Sequence, residues 1–196
     1  MSYKTGFPFG EWVYEHLLPF LEPCLENALN RDVDVFVDRD NIFVGDAWPE
    51  RLRRALAYSR CMIAVWSPAY FNSSWCLCEC AVMLYRERQL GYRTLDNPGG
   101  LILPINVFDG EHFPHFARSI QYLDCRDYAR VGPGFRGTRR YVDFQDRLLE
   151  WIPEVANAIN AAPPWSEEWQ SQEWLSDPIR DIRPLGVSSF ELPVLE

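Results

Sequence analysis

No stretch of this chain approaches the roughly 18 consecutive apolar residues from which a membrane-spanning helix is built, so neither a membrane span nor a membrane partner is expected. The opening run MSYKTGFPFGEW lacks the basic segment, the apolar segment and the small-residue cleavage site of a secretory signal. A cytoplasmic protein is the expectation. Basic residues are in deficit, 19 Lys and Arg against 28 Asp and Glu, and the net charge of −9 repels the phosphates of nucleic acid. G-x-G-x-x-G and Walker-type glycine loops are both missing, which argues against a Rossmann dehydrogenase or a nucleoside triphosphatase. No internal repeat is present.

What the chain does have is core material. At 196 residues, 47% hydrophobic and 15% aromatic, it has the composition of one packed globular domain. Residues 12–29 place Trp12, Val13, Leu17, Phe20, Leu21 and Leu25 at helical spacing, with Pro19 and Pro23 expected to kink the helix. VDVFV, residues 33–37, reads as a strand that runs into the polar DRDN. A helix is expected to follow from Asp46 as N-cap, with Pro49 near its first turn and Leu52 and Leu56 on one face. CMIAVW (61–66) and LILPINV (101–107) are apolar runs of strand length, the pattern of a parallel sheet covered on both faces. Between them, residues 73–90 contain no Gly or Pro and read as one helix capped by Ser73 or Ser74. IQYLD reads as a last strand and residues 141–160 as a last helix. Strands alternating with helices define an α/β domain with a parallel sheet, over residues 1–162.

The composition changes after Ala162. Residues 163–196 hold seven acids against Arg180 and Arg183, so −5 of the net charge lies there. Trp165, Trp169 and Trp174 punctuate this acidic tail at spacings that fit one helical face, which is expected to dock on the domain or on a protein partner.

Cys24, Cys61, Cys76, Cys78, Cys80 and Cys125 do not have the spacing of a disulfide scaffold and are expected to be reduced. Three of them fall in SSWCLCEC. On a helix Cys76 and Cys80 share a face and Cys78 points elsewhere, so the three cannot meet one metal ion. His112 and His115 stand alone in EHFPHF, and no metal site is expected. The thiols are read as small buried apolar groups. Glu79 is different. It lies within the apolar WCLCECAVML, where a carboxylate needs either a partner or a task. In DRDNIFVG, the apolar Ile42, Phe43 and Val44 would need cover by a ligand or by another copy of the chain. Arg51, Arg53 and Arg54 read as a solvated helix face.

Taken together, FVDRDNIFVGDAWPERLRRALAYSR, IAVWSPAYFNSSWCLCEC and LILPI resemble a TIR domain, the Toll/interleukin-1 receptor and plant-resistance family, from about Ser2 to about Asn160. The shared order runs through Ser67, Pro68, Tyr70, Ser73 or Ser74, Trp75, Cys76 and Glu79. Its Trp-Cys-Leu-x-Glu form is closer to plant and bacterial members than to animal adaptors, and those branches contain enzymes that cleave NAD. The resemblance implies a flavodoxin-like fold, a five-stranded parallel sheet flanked by helices. The family's first strand begins several residues ahead of Ser2 and Tyr3, so here it is expected to be very short or to need residues upstream.

The same resemblance implies that Glu79 is the catalytic residue and that Trp75, four residues earlier, walls the substrate pocket. Ser2, Tyr3 and Lys4 correspond to positions that contact the dinucleotide. The loop from Asp38 to Asp46, with Asp38, Asp40, Phe43 and Gly45 as candidate contacts, is expected to gate the site and to contribute to assembly. Ser67 and Tyr70 complete the candidate site. The implied function is cleavage of the nicotinamide glycosidic bond of NAD+, by hydrolysis or cyclisation, in immune or antiviral defence signalling. NAD+ is then the substrate, no cofactor is needed, and the protein is a homo-oligomer held by TIR–TIR contacts. The alternative is a non-catalytic adaptor that signals only through TIR–TIR assembly.

Overall fold

The two apolar runs become the middle of a sheet. The computed structural model describes residues 1–37, 55–111 and 113–164. Among them β1 (Ser2–Tyr3), β2 (Met62–Trp66), β3 (Ile102–Asn106) and β4 (Leu123–Asp124) lie parallel in the order β1-β2-β3-β4. All five residues of β2 are buried, because both faces of the sheet are covered. Met62, Ala64 and Trp66 face α3 (Pro68–Phe71) and α4 (Ser74–Gln89), packing with Tyr70, Cys76, Cys80 and Met83. Ile63 and Val65 face the other way, onto α1 (Phe9–Trp12), α2 (Leu18–Leu29) and the last helix, named α6 below, through Trp12, Leu21, Leu25, Phe144 and Leu148.

The helices start where the sequence supplies caps. Ser73 accepts the Cys76 amide at 3.5 Å and starts α4, and Thr138 accepts the Tyr141 amide at 3.3 Å and starts α6 (Arg139–Ala161). The fifth helix in chain order, α5 (His115–Arg118), is a single turn between β3 and β4. Pro19 and Pro23 do not break the first helical region. A π-helical turn at Val13–Leu17 joins α1 to α2 and widens the backbone just ahead of Pro19.

One expected strand is not formed. Residues 33–37 belong to no strand, and the sheet has four strands among the described residues rather than five. The Met1 nitrogen donates to the Phe36 carbonyl at 2.5 Å, so the segment does lie beside β1. A two-residue β1 offers too few rungs to organise a neighbour. The helix expected from Asp46 is described only at residues 55–58; Asp46, Pro49 and Leu52 lie outside the described residues.

Two adjacent charged side chains of α4 are buried and fasten it. Glu87, 2% exposed, accepts the Leu101 and Ile102 amides at 2.6 and 2.9 Å and the Arg93 guanidinium at 2.6 and 2.9 Å. One carboxylate thus ties the end of α4 to the start of β3. Gly100 leaves room for it, since a Cβ there would lie 2.7 Å from Glu87 Oε1 and nearer still to the Arg93 guanidinium. Arg86 Nη1 donates to the carbonyls of Leu56 (3.0 Å) and Ser59 (2.8 Å), closing the end of the helical residues 55–58.

The outer side of β3 is closed as well. Met62 donates to Leu101 O at 2.7 Å and Val107 to Trp66 O at 3.1 Å, so odd-numbered residues of this run present their backbone to β2. Even-numbered residues face outward, and Asn106 O accepts the Cys125 amide at 2.8 Å. β4 is in register only with Ile105 and Asn106. Ahead of it, Pro104 has no N–H, while the N–H and C=O of Ile102 are taken by Glu87 and Arg93, the latter at 3.2 Å.

Replacing Glu87 by Ala strands two buried amides and the Arg93 guanidinium, and is expected to cost about 3 kcal/mol. Gly100→Ala should destabilise through the same site, because the added methyl displaces the pair. Urea unfolding of each variant checks both.

His16, in the π-helical turn, is 1% exposed, and neither ring nitrogen has a hydrogen-bond partner. Phe135 and Tyr141 meet its ring edge-on at 5.0 and 5.7 Å, and the Glu15 carboxylate is 3.7 Å from Nε2. Burial, then the charge of Arg136, push its pKa below the ordinary 6.5, against a smaller opposing pull from Glu15. The unfolded chain therefore binds a proton that the folded protein refuses. Stability is unaffected by His16 well above pH 6.5 and declines as pH falls below it, until the folded imidazole itself titrates. The difference in urea midpoint between wild type and His16→Phe, measured from pH 8 to pH 5, should shift in favour of the variant as pH falls.

Candidate active site

α4 runs antiparallel to the strands and presents its first two turns to β1. Strand alternation sends Ser2 towards α4 and Tyr3 to the opposite face, where the Tyr3 hydroxyl donates to Tyr14 Oη at 2.8 Å. The Ser2 hydroxyl is 2% exposed and donates to Glu79 Oε2. On its other side it lies 2.9 Å from the Tyr70 hydroxyl, which is completely buried. Glu79 itself is half-buried. The structure therefore joins three of the expected residues, Ser2, Tyr70 and Glu79, in one hydrogen-bonded chain.

The other expected residues take different places. Lys4, exposed just past the end of β1, lies close enough to Cys76 for its charge to act on that thiol. Trp75 stands one turn ahead of Glu79 on α4 and is half-buried, packed in part on the core. Ser67 is the N-cap of α3 and accepts the Tyr70 amide at 3.2 Å, so its hydroxyl fixes the turn that carries Tyr70. Tyr3 points away from Glu79. Asp38, Asp40, Phe43 and Gly45, with the rest of the loop to Asp46, lie outside the described residues.

The groups around Glu79 hold their protons. Burial drives the Tyr70 hydroxyl well above its usual range, and neighbouring Cys80, Cys76 and Glu79 push in the same direction. Burial, helped by Glu79, lifts the Cys76 thiol to about 12, and burial first, then Glu87, takes Cys80 higher still. All six cysteines are free, and no group of three metal-ligating side chains comes together among the described residues. The thiols pack.

A cavity of about 20 Å³, room for one water, adjoins Glu79 and is lined also by Ser2, Phe36, Leu56, Ser59 and Met62. It shares Met1, Phe36, Ala55, Ser59 and Cys61 with a second cavity of about 420 Å³. A larger groove of about 1050 Å³ runs along Arg93, Pro104, Tyr122 and Trp151 and touches none of the expected site residues. Its lining is charged, with Arg93, Arg147, Glu150 and Glu154, and size alone does not make it the site.

Sequence reasoning missed Arg86 and Glu87. Their signal was the charged run Arg86, Glu87 and Arg88 at the end of a helix whose first three turns carry one other charge, Glu79. Ser2 and Tyr70, expected as substrate contacts, are linked to Glu79 in series: the Ser2 hydroxyl meets Glu79 and the Tyr70 hydroxyl meets Ser2.

A parallel α/β sheet with helices on both faces and a carboxylate held at the junction of its first strand and a flanking helix defines the class of protein. Within that class, residues 20–133 match the TIR domain family, and the chain belongs to it. The matched span includes Ser67, Tyr70, Trp75 and Glu79, and begins after Ser2. Comparison with curated proteins and with solved structures gives no match. No helix among the described residues is long and apolar enough to cross a membrane.

The buried thiols make a direct prediction. With pKa values pushed to about 12 at Cys61, Cys76 and Cys125, against an ordinary 9.0, the thiolate fraction at pH 8 falls about a thousandfold. Alkylation by iodoacetamide, followed by mass spectrometry, should be slow at these positions in the folded protein and fast in urea.

Proposed function

We propose that this TIR domain cleaves NAD+ at the bond between ribose C1′ and the nicotinamide nitrogen, with Glu79 as the catalytic residue. The observation that carries the reading is the Glu79 carboxylate itself, half-buried on α4 and held by a hydroxyl from β1 beside a water-sized cavity. Bond cleavage sends its electron pair to the pyridine nitrogen, so nicotinamide leaves neutral and needs no general acid. Positive charge then develops on the ribose. A fixed carboxylate next to C1′ stabilises that oxocarbenium character, or accepts a ribose hydroxyl, more strongly in the transition state than in the ground state.

Trp75 and Lys4 flank the approach to Glu79. The indole offers a flat wall to the nicotinamide or ribose, and the Lys4 ammonium can meet a phosphate of the dinucleotide. Water held beside Glu79 supplies the nucleophile for hydrolysis; attack by the adenine ring of the same molecule gives the cyclic product instead. The Asp38 to Asp46 loop and copies of the chain associated through Ile42, Phe43 and Val44 complete the proposed site and its regulation. A defence-signalling role follows from the same reading.

Glu79→Gln preserves size and removes the charge, so NAD+ cleavage should fall by roughly a hundredfold or more, with an unchanged circular dichroism spectrum. Nicotinamide release, followed by chromatography and mass spectrometry of both products, is the measurement. Wild-type rates in that variant would leave the adaptor reading, in which assembly alone transmits the signal.

A further inference from the structure

We infer that Tyr70 and Ser2 form a hydroxyl relay that positions the Glu79 carboxylate, with Tyr70 acting on Glu79 only through Ser2. Its functional meaning rests on the reading of Glu79 as the catalytic residue. The relay itself is a matter of hydrogen-bond direction. An ionised carboxylate can only accept, so the Ser2 proton is committed to Glu79 Oε2. Ser2 Oγ then has only lone pairs left, and the Tyr70 hydroxyl, 2.9 Å away, must be the donor to it. The order Tyr70 O–H to Ser2 O–H to Glu79 is the one that leaves every proton used.

Burial makes this order stable. Ser2 is 2% exposed and Tyr70 is not exposed at all, so bulk water does not compete for either hydroxyl and Tyr70 cannot itself touch a dinucleotide. The raised pKa of Tyr70 keeps its proton in place at neutral pH. Each donor polarises the next, so the bond to the carboxylate is stronger with Tyr70 present than with Ser2 alone. No proton is transferred along the chain. Its effect is to hold carboxylate oxygen Oε2 in place and so to fix the direction of the Glu79 side chain.

Three elements converge to build the relay. β1 carries Ser2, α3 carries Tyr70 on a turn fixed by the Ser67 cap, and α4 carries Glu79. Ser2 and Tyr70 are therefore positioning residues, and they differ from Trp75 and Lys4, which are half-buried and exposed, respectively, and to which the proposed function gives the substrate contacts.

Two measurements test this. In NAD+ cleavage, Ser2→Ala should lower kcat by roughly tenfold to a hundredfold, the effect of deleting a hydrogen bond to a charged group, and Tyr70→Phe by roughly threefold to tenfold. KM should stay within about threefold in both, given that neither side chain binds substrate. The double variant should be no slower than Ser2→Ala alone, because without Ser2 the tyrosine has no route to Glu79. Losses that multiply, or a raised KM with kcat intact, overturn the relay in favour of independent or substrate-binding roles.

The second measurement does not depend on turnover. With tyrosine labelled with ¹³C at Cζ, the Tyr70 resonance should shift in both Ser2→Ala and Glu79→Gln, and a Tyr70 signal unmoved by Glu79→Gln overturns the relay. If Glu79→Gln retains NAD+ cleavage, the catalytic reading fails while the resonance still decides whether the hydroxyl chain exists. If Tyr70→Phe fails to fold, Ser2→Ala and the Tyr70 resonance decide it without that variant.

Discussion

The buried Glu87 carboxylate is the constraint on which the placement of α4 depends. A charge this deeply buried is costly unless nearly every lone pair is used, and Glu87 uses its oxygens on two backbone amides and a bidentate guanidinium. The helix can then neither slide nor roll relative to β3 without breaking several bonds at once. Arg86, the preceding residue, grips the helical residues 55–58 from the same turn. α4 is fixed at its C-terminal end to the middle of the sheet, and its N-terminal half reaches back across β2 to β1. Glu79 lies about two turns from Glu87, so its direction is set by an anchor remote from the site.

Along α4 the two glutamates differ in burial and in the partners they meet. Glu87 is saturated by donors, including a cation, and its chemistry is spent on structure. Glu79 receives the Ser2 hydroxyl on Oε2, lies near enough to the Met1 amino group to act on it through its charge, and remains half-buried. The acidic groups nearest to it, Tyr70, Cys76 and Cys80, are held protonated by burial. These neighbours are neutral, so none of them adds a second negative charge beside Glu79. Cys76 and Cys80 of SSWCLCEC thus contribute through their neutrality and small size, with Glu79 as the acidic group between them.

Much of this was legible in the residues. The continuous apolar runs at 61–66 and 101–107 marked strands covered on both faces, and the Gly- and Pro-free stretch with serines ahead of it gave α4 with its cap. Glu79 stood out as a carboxylate in an apolar context. What could not be read depended on long-range geometry. Nothing local distinguishes Glu87 from a solvated helix charge, since its partners at Leu101 and Ile102 are some 14 residues away and are backbone amides. Ser2 and Tyr70 are separated by 68 residues, and only pairing of β1 with β2 brings the hydroxyls together. The β-branched run at 33–37 has the propensity of a strand, yet a neighbour of only two residues gives it too little to pair with. Pro19 and Pro23 foretold a disturbed helix, but the remedy, a π-helical turn, has no sequence signature of its own.

The outer edge of β3 bears on how copies of this domain can meet. An open parallel edge ordinarily invites a foreign strand to add itself, which is the start of uncontrolled aggregation. Here the inviting groups are withdrawn one by one: a proline removes one donor, and the Glu87–Arg93 pair occupies the next donor and acceptor. Such a block matters most where copies of a domain meet repeatedly, because repeated encounters raise the local concentration of sheet edges. Any meeting of copies at this edge would then have to use side-chain surfaces, where contact is reversible, rather than a backbone ladder, where it tends not to be.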